Sequence, residues 1–186
     1  MNRKHFLAFL IVSIALIGGY LMMKDGSQVS ASLGVDGKSP LLGASEYDWE
    51  CSVDDAVQLN EQYAGPFSQE EGFSPFESGT QVLLSCPASA VIHVIYDYGT
   101  ETISRAEYEQ AQRFIAQAAS DHDTAQVNDD SGGQEIELRY TIEGTIFERF
   151  WVKQVQDQIH VLVVEGGVQE EVDRHFEIAK SAIHGE

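Results

Sequence analysis

The chain has 186 residues and a formal net charge of −19 at pH 7. All acidic residues follow Lys24, so residues 25–186 carry eight basic and thirty acidic side chains, a formal charge of −22. Such a surface repels nucleic-acid phosphates and anionic lipid headgroups, which excludes nucleic acid as a partner. A partner favoured by charge would be basic or a divalent cation, and the alternative is that the charge serves solubility or a salty habitat. The length fits one domain with a linker.

The first feature along the chain is the apolar run Phe6–Met23, which contains no charge and follows Arg3 and Lys4. As a helix it would be about 27 Å long, close to the hydrocarbon thickness of a bilayer. The basic residues before it favour a cytoplasmic N-terminus and an exported remainder. We therefore expect a single-pass protein of the cytoplasmic membrane, anchored by residues 1–24. The alternative is a cleaved signal peptide, with its best site at Val29–Ala31, and a secreted or periplasmic product.

Residues 25–45 are rich in Gly and Ser and predict a flexible linker, in which Leu41 and Leu42 form the apolar pair that can dock on the domain. Residues 46–186 form the predicted extracytoplasmic domain. Cys51 and Cys86 both lie in it, and in an oxidising compartment two such thiols are expected to form one disulfide. Two separate buried thiols are the alternative.

The first element predicted in the domain is a short helix, Val53–Tyr63, because Ser52–Asp55 resembles a capping box. The loop Phe67–Gly79 follows, and its aromatic residues Phe73 and Phe76 are candidates for a ligand-facing surface. Aromatic residues under long loops also serve simply to pack the loop.

Two β-branched runs, Thr80–Cys86 and Ala90–Tyr98, predict strands, with His93 in phase with core residues. A capping box at Ser104 predicts the amphipathic helix Arg105–Ala119. The acidic segment Asp121–Asp130 lacks the Gly and Glu positions of an EF-hand, so a turn is expected there and no metal site is assigned.

The strictly alternating run Gln134–Ile142 predicts a strand that pairs with Thr145–Val155 through a two-residue turn at Glu143-Gly144. That register pairs Tyr140 with Phe147 and Arg139 with Glu148. It also places Arg149 on an apolar face, where an unpaired charge is costly, so Arg149 is expected to snorkel, to pair with an acid such as Glu165, or to face a ligand.

The apolar run Ile159–Glu165 predicts a central strand, and Gln169–Ile183 predicts a closing amphipathic helix. Together these elements predict an α+β domain, an α/β/α sandwich around a central antiparallel sheet. The order of elements resembles the PsbP-like fold, through the residues His93–Gly99, the helix after Ser104 and the run Ile142–Glu165. This resemblance implies a binding or assembly role. The alternative fold is a cone like that of nuclear transport factor 2 or the cystatins, with one helix in a curved sheet.

No nucleophile elbow, phosphate-binding loop or zinc-protease motif is present, so no catalytic residue and no cofactor is assigned. The predicted function is a membrane-anchored extracytoplasmic domain that binds or assembles with another envelope protein. The first alternative is a module for a small ligand or a divalent cation. The second is a hydrolase whose triad is dispersed in the sequence.

Overall fold

The computed structural model describes residues 39–59, 75–120, 125–128 and 135–185, which all belong to one unit, Leu33–Glu186. The predicted membrane anchor Phe6–Met23, the linker up to residue 38 and Phe73 lie outside the described residues, as do Asp121 and Asp130 at the ends of the acidic segment.

The described domain is a seven-stranded antiparallel sheet with two α-helices and one short 3₁₀ helix, Pro40–Glu46. The helices are α1 (Glu101–Ser120) and α2 (Gln169–His184). The strands are β1 (Ser52–Leu59), β2 (Ser78–Ser85), β3 (Ser89–Asp97), β4 (Gln126–Asn128), β5 (Glu135–Ile142), β6 (Ile146–Val155) and β7 (Gln158–Gly166). The spatial order β1-β2-β3-β7-β6-β5-β4 places β7 at the centre, and the predicted α+β class is confirmed.

The two helices contact opposite faces of the sheet. Gln154 and Arg149 of β6 show this, because they are an odd number of positions apart and successive side chains of a strand point to opposite sides. On one side the Gln154 amide of β6 donates to Ser104 Oγ of α1 at 3.2 Å. On the other side Arg149 of β6 stacks on Phe176 of α2, with its Cζ 3.8 Å from the ring centroid. We call these the α1 face and the α2 face.

One hydrophobic core lies on the α2 face. Val172, Phe176 and Ala179 of α2 are buried, as the apolar stripe predicted, and pack with Trp151 of β6. Leu41 is completely buried in the same cluster, so the apolar pair of the predicted linker does dock on the domain. The other buried members of this cluster are Trp49, Cys51, Ala56, Val82, Leu84, Val91, Leu162 and Val164.

The predicted disulfide between Cys51 and Cys86 is present and joins the start of β1 to the end of β2. Ser52 pairs with Ser85 in the adjacent register position. The predicted helix Val53–Tyr63 is wrong, since Ser52–Leu59 is a strand. Within the expected capping box Ser52–Asp55, the side chain of Asp54 accepts a hydrogen bond from Ser85 Oγ across the strand pair, so pairing with β2 overrides the local capping pattern.

Helix α1 begins at Glu101, before the predicted start, and the capping box at Ser104 is wrong. The helix is capped by Thr100, whose Oγ1 accepts a hydrogen bond from the Ile103 amide at 3.4 Å. Ser104 is buried and its hydroxyl donates to the Gln156 carbonyl at 2.6 Å. Its side chain therefore ties α1 to the β6–β7 turn.

The β5–β6 hairpin has three loop residues, Glu143 to Thr145, because Ile142 pairs with Ile146. Glu143 and Gly144 both have positive φ angles of 51° and 72°. The two-residue turn expected from the sequence is therefore wrong, and every cross-strand pair moves by one residue. Because side chains alternate, this change moves the partners of each β5 residue to the other face.

Candidate binding cleft

Arg149 lies on the α2 face of β6, between Phe147 and Trp151 as predicted, and its side chain is only 5 % exposed. In the observed register it is opposite Arg139, with Glu137 on the same face of β5. The expected partner Glu165 is wrong, because Glu165 pairs with Glu148 and lies on the α1 face. The true partners are acids of β5 and α2.

Three carboxylates surround the guanidinium of Arg149. Its Nε donates to Glu137 Oε1 at 3.0 Å, and its Nη2 donates to the same oxygen. Its Nη1 lies 3.4 Å from Asp173 Oδ1 and 2.7 Å from Glu177 Oε1. Charge-assisted bonds on every nitrogen, together with the Phe176 ring, offset the cost of burying this cation.

Further charged side chains next to these groups are more exposed to solvent than Arg149. Arg139 Nη2 lies 3.0 Å from Asp173 Oδ1, so that carboxylate contacts two arginines. Lys180 Nζ lies 3.3 Å from Glu135 and 3.7 Å from Glu137. Asp173 and Lys180 of α2 both point toward β5, whose polar side chains face this helix.

Two neighbouring cavities lie along this charged surface, with volumes of about 170 and 490 Å³. Gln126, Arg139 and Arg149 line both of them. We call these cavities and their rim the Arg149 cleft. Glu177 is 64 % exposed and the side chain of Arg139 is 40 % exposed, so charges of both signs are accessible at the rim.

A second buried polar group lies on the α1 face, where Tyr140, Glu148 and Glu165 are adjacent across β5, β6 and β7. The Tyr140 hydroxyl donates to Glu148 Oε1, while Glu148 Oε2 is buried without a hydrogen bond within the described residues. Burial raises the pKa of Glu148 to about 7; the Tyr140 hydrogen bond lowers this pKa, and the negative charge of Glu165 raises it. Burial also raises the pKa of Glu165.

The difference in the free energy of unfolding between Glu148→Gln and wild type is expected to favour the variant more at pH 8 than at pH 5. The folded carboxyl keeps its proton up to about pH 7, whereas the unfolded one loses it near pH 4.5, so wild-type stability falls as pH rises through this window. The loss at Glu148 is on the order of 3 kcal/mol. Urea unfolding of wild type and Glu148→Gln at both pH values checks this, and equal pH dependence of the two proteins contradicts it.

The predicted core histidine His93 is completely buried, as expected. Its Nδ1 lies 2.9 Å from Ser39 Oγ, and its Nε2 lies 3.2 Å from Nδ1 of His160 on β7. Burial, and then the charge of His160, holds the pKa of His93 well below its ordinary value. Burial, and then the charge of Lys153, lowers the pKa of His160 to about 4.

Below pH 6.5 these two histidines are expected to oppose folding. They take up protons in the unfolded chain near pH 6.5 but not in the folded chain, so stability falls toward pH 4 by about 1.4 kcal/mol per pH unit for each histidine. The His160→Gln change should remove one of these contributions. Urea unfolding between pH 4.5 and 6.5 measures it best in the Glu148→Gln background, since Glu148 acts in the opposite direction. An unchanged slope contradicts the assignment.

Two serine–histidine pairs occur among the described residues. Ser39 and His93 are both buried, and the other ring nitrogen of His93 contacts a second histidine, His160. Ser89 Oγ lies 2.7 Å from His175 Nδ1, and His175 Nε2 lies 3.7 Å from Glu171 Oε2. The second pair has the residue types of a hydrolase triad, although the imidazole–carboxylate distance exceeds that of a hydrogen bond.

Phe76, the other sequence candidate among the described residues, does not line the cleft. Phe76 is half-buried and packs on Tyr96, with 5.2 Å between ring centroids. Tyr96 pairs with Ile159 in the register of β3 and β7, which places it on the α1 face, opposite Arg149. Phe73 lies outside the described residues. No helix in the described ranges has the length and apolarity needed to cross a membrane.

Comparison with known proteins gives a match in fold alone. No family model matches the chain, and no curated protein matches it. The extracellular domain of PknH from Mycobacterium tuberculosis is similar in structure, with a TM-score of 0.52 and 8% sequence identity over 78% of this chain and 88% of that one. An uncharacterised protein of Mycobacterium smegmatis, the Rv0999 orthologue, aligns with a TM-score of 0.34 and 8% identity over 77% of this chain and 94% of that one.

One sequence signal bears on the missed groups. The run Glu135–Ile142 alternates apolar residues with Glu135, Glu137 and Arg139, which indicates a charged face, and the correct register of β5 and β6 places Glu137 of that face beside Arg149. The Glu148–Glu165 and His93–His160 pairs have no local signal, because their members are far apart in the sequence and meet only through strand register.

Proposed function

We propose that this protein is a membrane-anchored extracytoplasmic domain that binds or assembles with another envelope protein through the Arg149 cleft. The apolar run Phe6–Met23 would anchor it, and the Cys51–Cys86 disulfide supports an oxidising compartment for the domain. Its fold resembles that of the PknH extracellular domain, which supports the same location. We further propose that the fold is related to PsbP-like domains, as the order of elements indicates.

The observation that carries the proposal is the arrangement of charges in the cleft. Arg149 is buried and fixed by three acids, and it holds Asp173 and Glu177 in place beside the half-exposed Arg139. A rim with charges of both signs in fixed positions suits a partner with complementary charges, since such pairs set orientation and specificity. The acidic remainder of the domain favours a partner with a basic surface.

Site-specific photo-crosslinking tests this proposal in intact membranes. A photoreactive residue at Glu177 or Gln126, on the cleft, is expected to give a discrete crosslinked product. The same residue at Arg113, exposed on α1, is the matched control and should give none. The charge reversal Arg139→Glu should remove the product from the Glu177 position. Equal products from the cleft and from α1, or a product unaffected by Arg139→Glu, would contradict the proposal.

A small ligand is the second candidate occupant of the same cleft, favoured by the two adjoining polar cavities. Purified protein screened by thermal shift against carboxylates, phosphates and Ca²⁺ should then show a shift that Arg139→Ala removes. If none of the compounds shifts the unfolding temperature, a small-ligand site in this cleft is excluded.

A hydrolase is the third candidate, carried by the Ser89–His175 contact. A fluorophosphonate probe would label an activated serine, and the label should disappear in Ser89→Ala. Absence of labelling in wild type excludes a reactive Ser89.

A further inference from the structure

The disulfide lies in a corner of the α2 face that also holds an imidazole. His175 of α2 is 1 % exposed, and one of its ring nitrogens and both sulfur atoms of Cys51 and Cys86 lie within 4.8 Å of one another. Its Nδ1 lies 2.7 Å from Ser89 Oγ, the backbone of Trp49 forms a hydrogen bond with the ring, and its Nε2 is buried. Glu171 Oε2, on the preceding turn of α2, lies 3.7 Å from that nitrogen.

Two cysteine sulfur atoms and an imidazole are the ligand types of a zinc site, but here the two sulfur atoms are oxidised to a disulfide. Thiolate sulfur and neutral imidazole bind Zn²⁺ in tetrahedral sites at about 2.3 Å and about 2.0–2.1 Å. Ligand atoms around such an ion are roughly 3.3–3.8 Å apart. Three candidate atoms already within 4.8 Å need to move by only about 1 Å once the sulfur–sulfur bond is broken.

We propose that reduction of the Cys51–Cys86 disulfide converts this corner into a zinc site, with both thiolates and His175 as ligands. A water molecule completes the tetrahedron. The reductant is a dithiol, which gives two electrons and two protons to the disulfide and becomes a disulfide itself. Zn²⁺ then displaces both thiol protons as it binds.

The consequence is that the β1–β2 junction is held together in both redox states. The disulfide joins these strands in the oxidised protein, and zinc joins them in the reduced protein through the same sulfur atoms. Cys86 is partly exposed, so reductant and metal have a route to the buried Cys51. Zinc should therefore stabilise the reduced chain and not the oxidised chain.

The experiment uses the full chain in detergent, reduced with a phosphine and titrated with Co²⁺ without oxygen. We expect one Co²⁺ per chain, with thiolate-to-metal charge transfer and intense visible bands of tetrahedral Co²⁺ that one equivalent of Zn²⁺ removes. Zinc should also slow alkylation of both thiols at least tenfold. The oxidised wild type and a Cys51→Ser/Cys86→Ser variant are the matched controls and should show neither effect.

His175 is tested in two ways. His175→Gln should weaken zinc binding by the reduced chain at least tenfold. Because this buried variant can fail to fold, X-ray absorption at the zinc edge of the wild type provides a second readout, and we expect two sulfur ligands and at least one nitrogen ligand. A reduced wild type without a tetrahedral spectrum overturns the proposal, and so does a zinc shell with sulfur and no nitrogen.

Discussion

Replacing both cysteines, Cys51→Ala with Cys86→Ala, is expected to lower the free energy of unfolding by about 4 kcal/mol. The disulfide closes a loop with a sequence separation of 35. In the chain-entropy model, removing a crosslink that closes a loop of this length raises the conformational entropy of the unfolded chain and so lowers its free energy by that amount at 25 °C. For a domain of this size the midpoint of thermal unfolding should fall by roughly 10 °C. Urea and thermal unfolding of oxidised proteins measure both quantities.

Wild type reduced in the presence of a chelator is the matched control, since it loses the crosslink without a change in side-chain volume. It should reproduce most of the loss in the double variant. A loss below about 1 kcal/mol in both would mean that the β1–β2 junction is held by its other contacts and that the crosslink contributes little.

The second large effect is expected at Arg149. The change Arg149→Met removes the cation but keeps much of the apolar side chain, and it leaves the carboxylates of Glu137, Asp173 and Glu177 next to one another. Removing one partner of a buried ion pair costs roughly 3–5 kcal/mol, and the partial exposure of these acids places the expected loss near the lower limit, about 3 kcal/mol. Adding Glu137→Gln to this variant should recover part of the loss.

Arg105→Met is the control for Arg149. Arg105 forms an ion pair with Glu101 on α1 in which both side chains are about 60% exposed. Pairs of this kind contribute roughly 0.3–0.5 kcal/mol. Urea unfolding at low and high salt compares the two, and the defect of Arg149→Met should shrink in salt as the repulsion among the acids is screened. Equal losses in the two variants would contradict the buried network.

The sequence predicted the elements that have strong periodicity. Strands β5 and β7, helix α2 and the Cys51–Cys86 pair are all confirmed. These succeed because alternation and helical stripes are local signals that tertiary packing reinforces. The same reasoning failed at β1, where a local capping pattern competed with pairing to a strand whose partner residues lie 20 to 33 positions away.

The site was predicted less well because it depends on register. Arg149 was recognised as a residue that needs a partner, but the extra loop residue at Thr145 shifted β5 by one position. That shift brings Glu137 to the face of Arg149 and Tyr140 beside Glu148, whereas the register of β6 and β7 places Glu165 on the opposite face. A positive φ at Glu143, a residue that seldom adopts it, allows the three-residue loop, and no local rule anticipates it.

Protease accessibility tests the central claim, an exported domain held at a membrane, most directly. Cells that make the full chain with a C-terminal tag are treated with protease once the outer face of the cytoplasmic membrane is accessible and the membrane is still intact. A second sample is treated after detergent lysis. The redox state of Cys51 and Cys86 is determined in parallel. The account predicts that the domain pellets with membranes, is digested without lysis and carries the disulfide. A tagged domain that is protected until lysis, with both cysteines reduced, would contradict it.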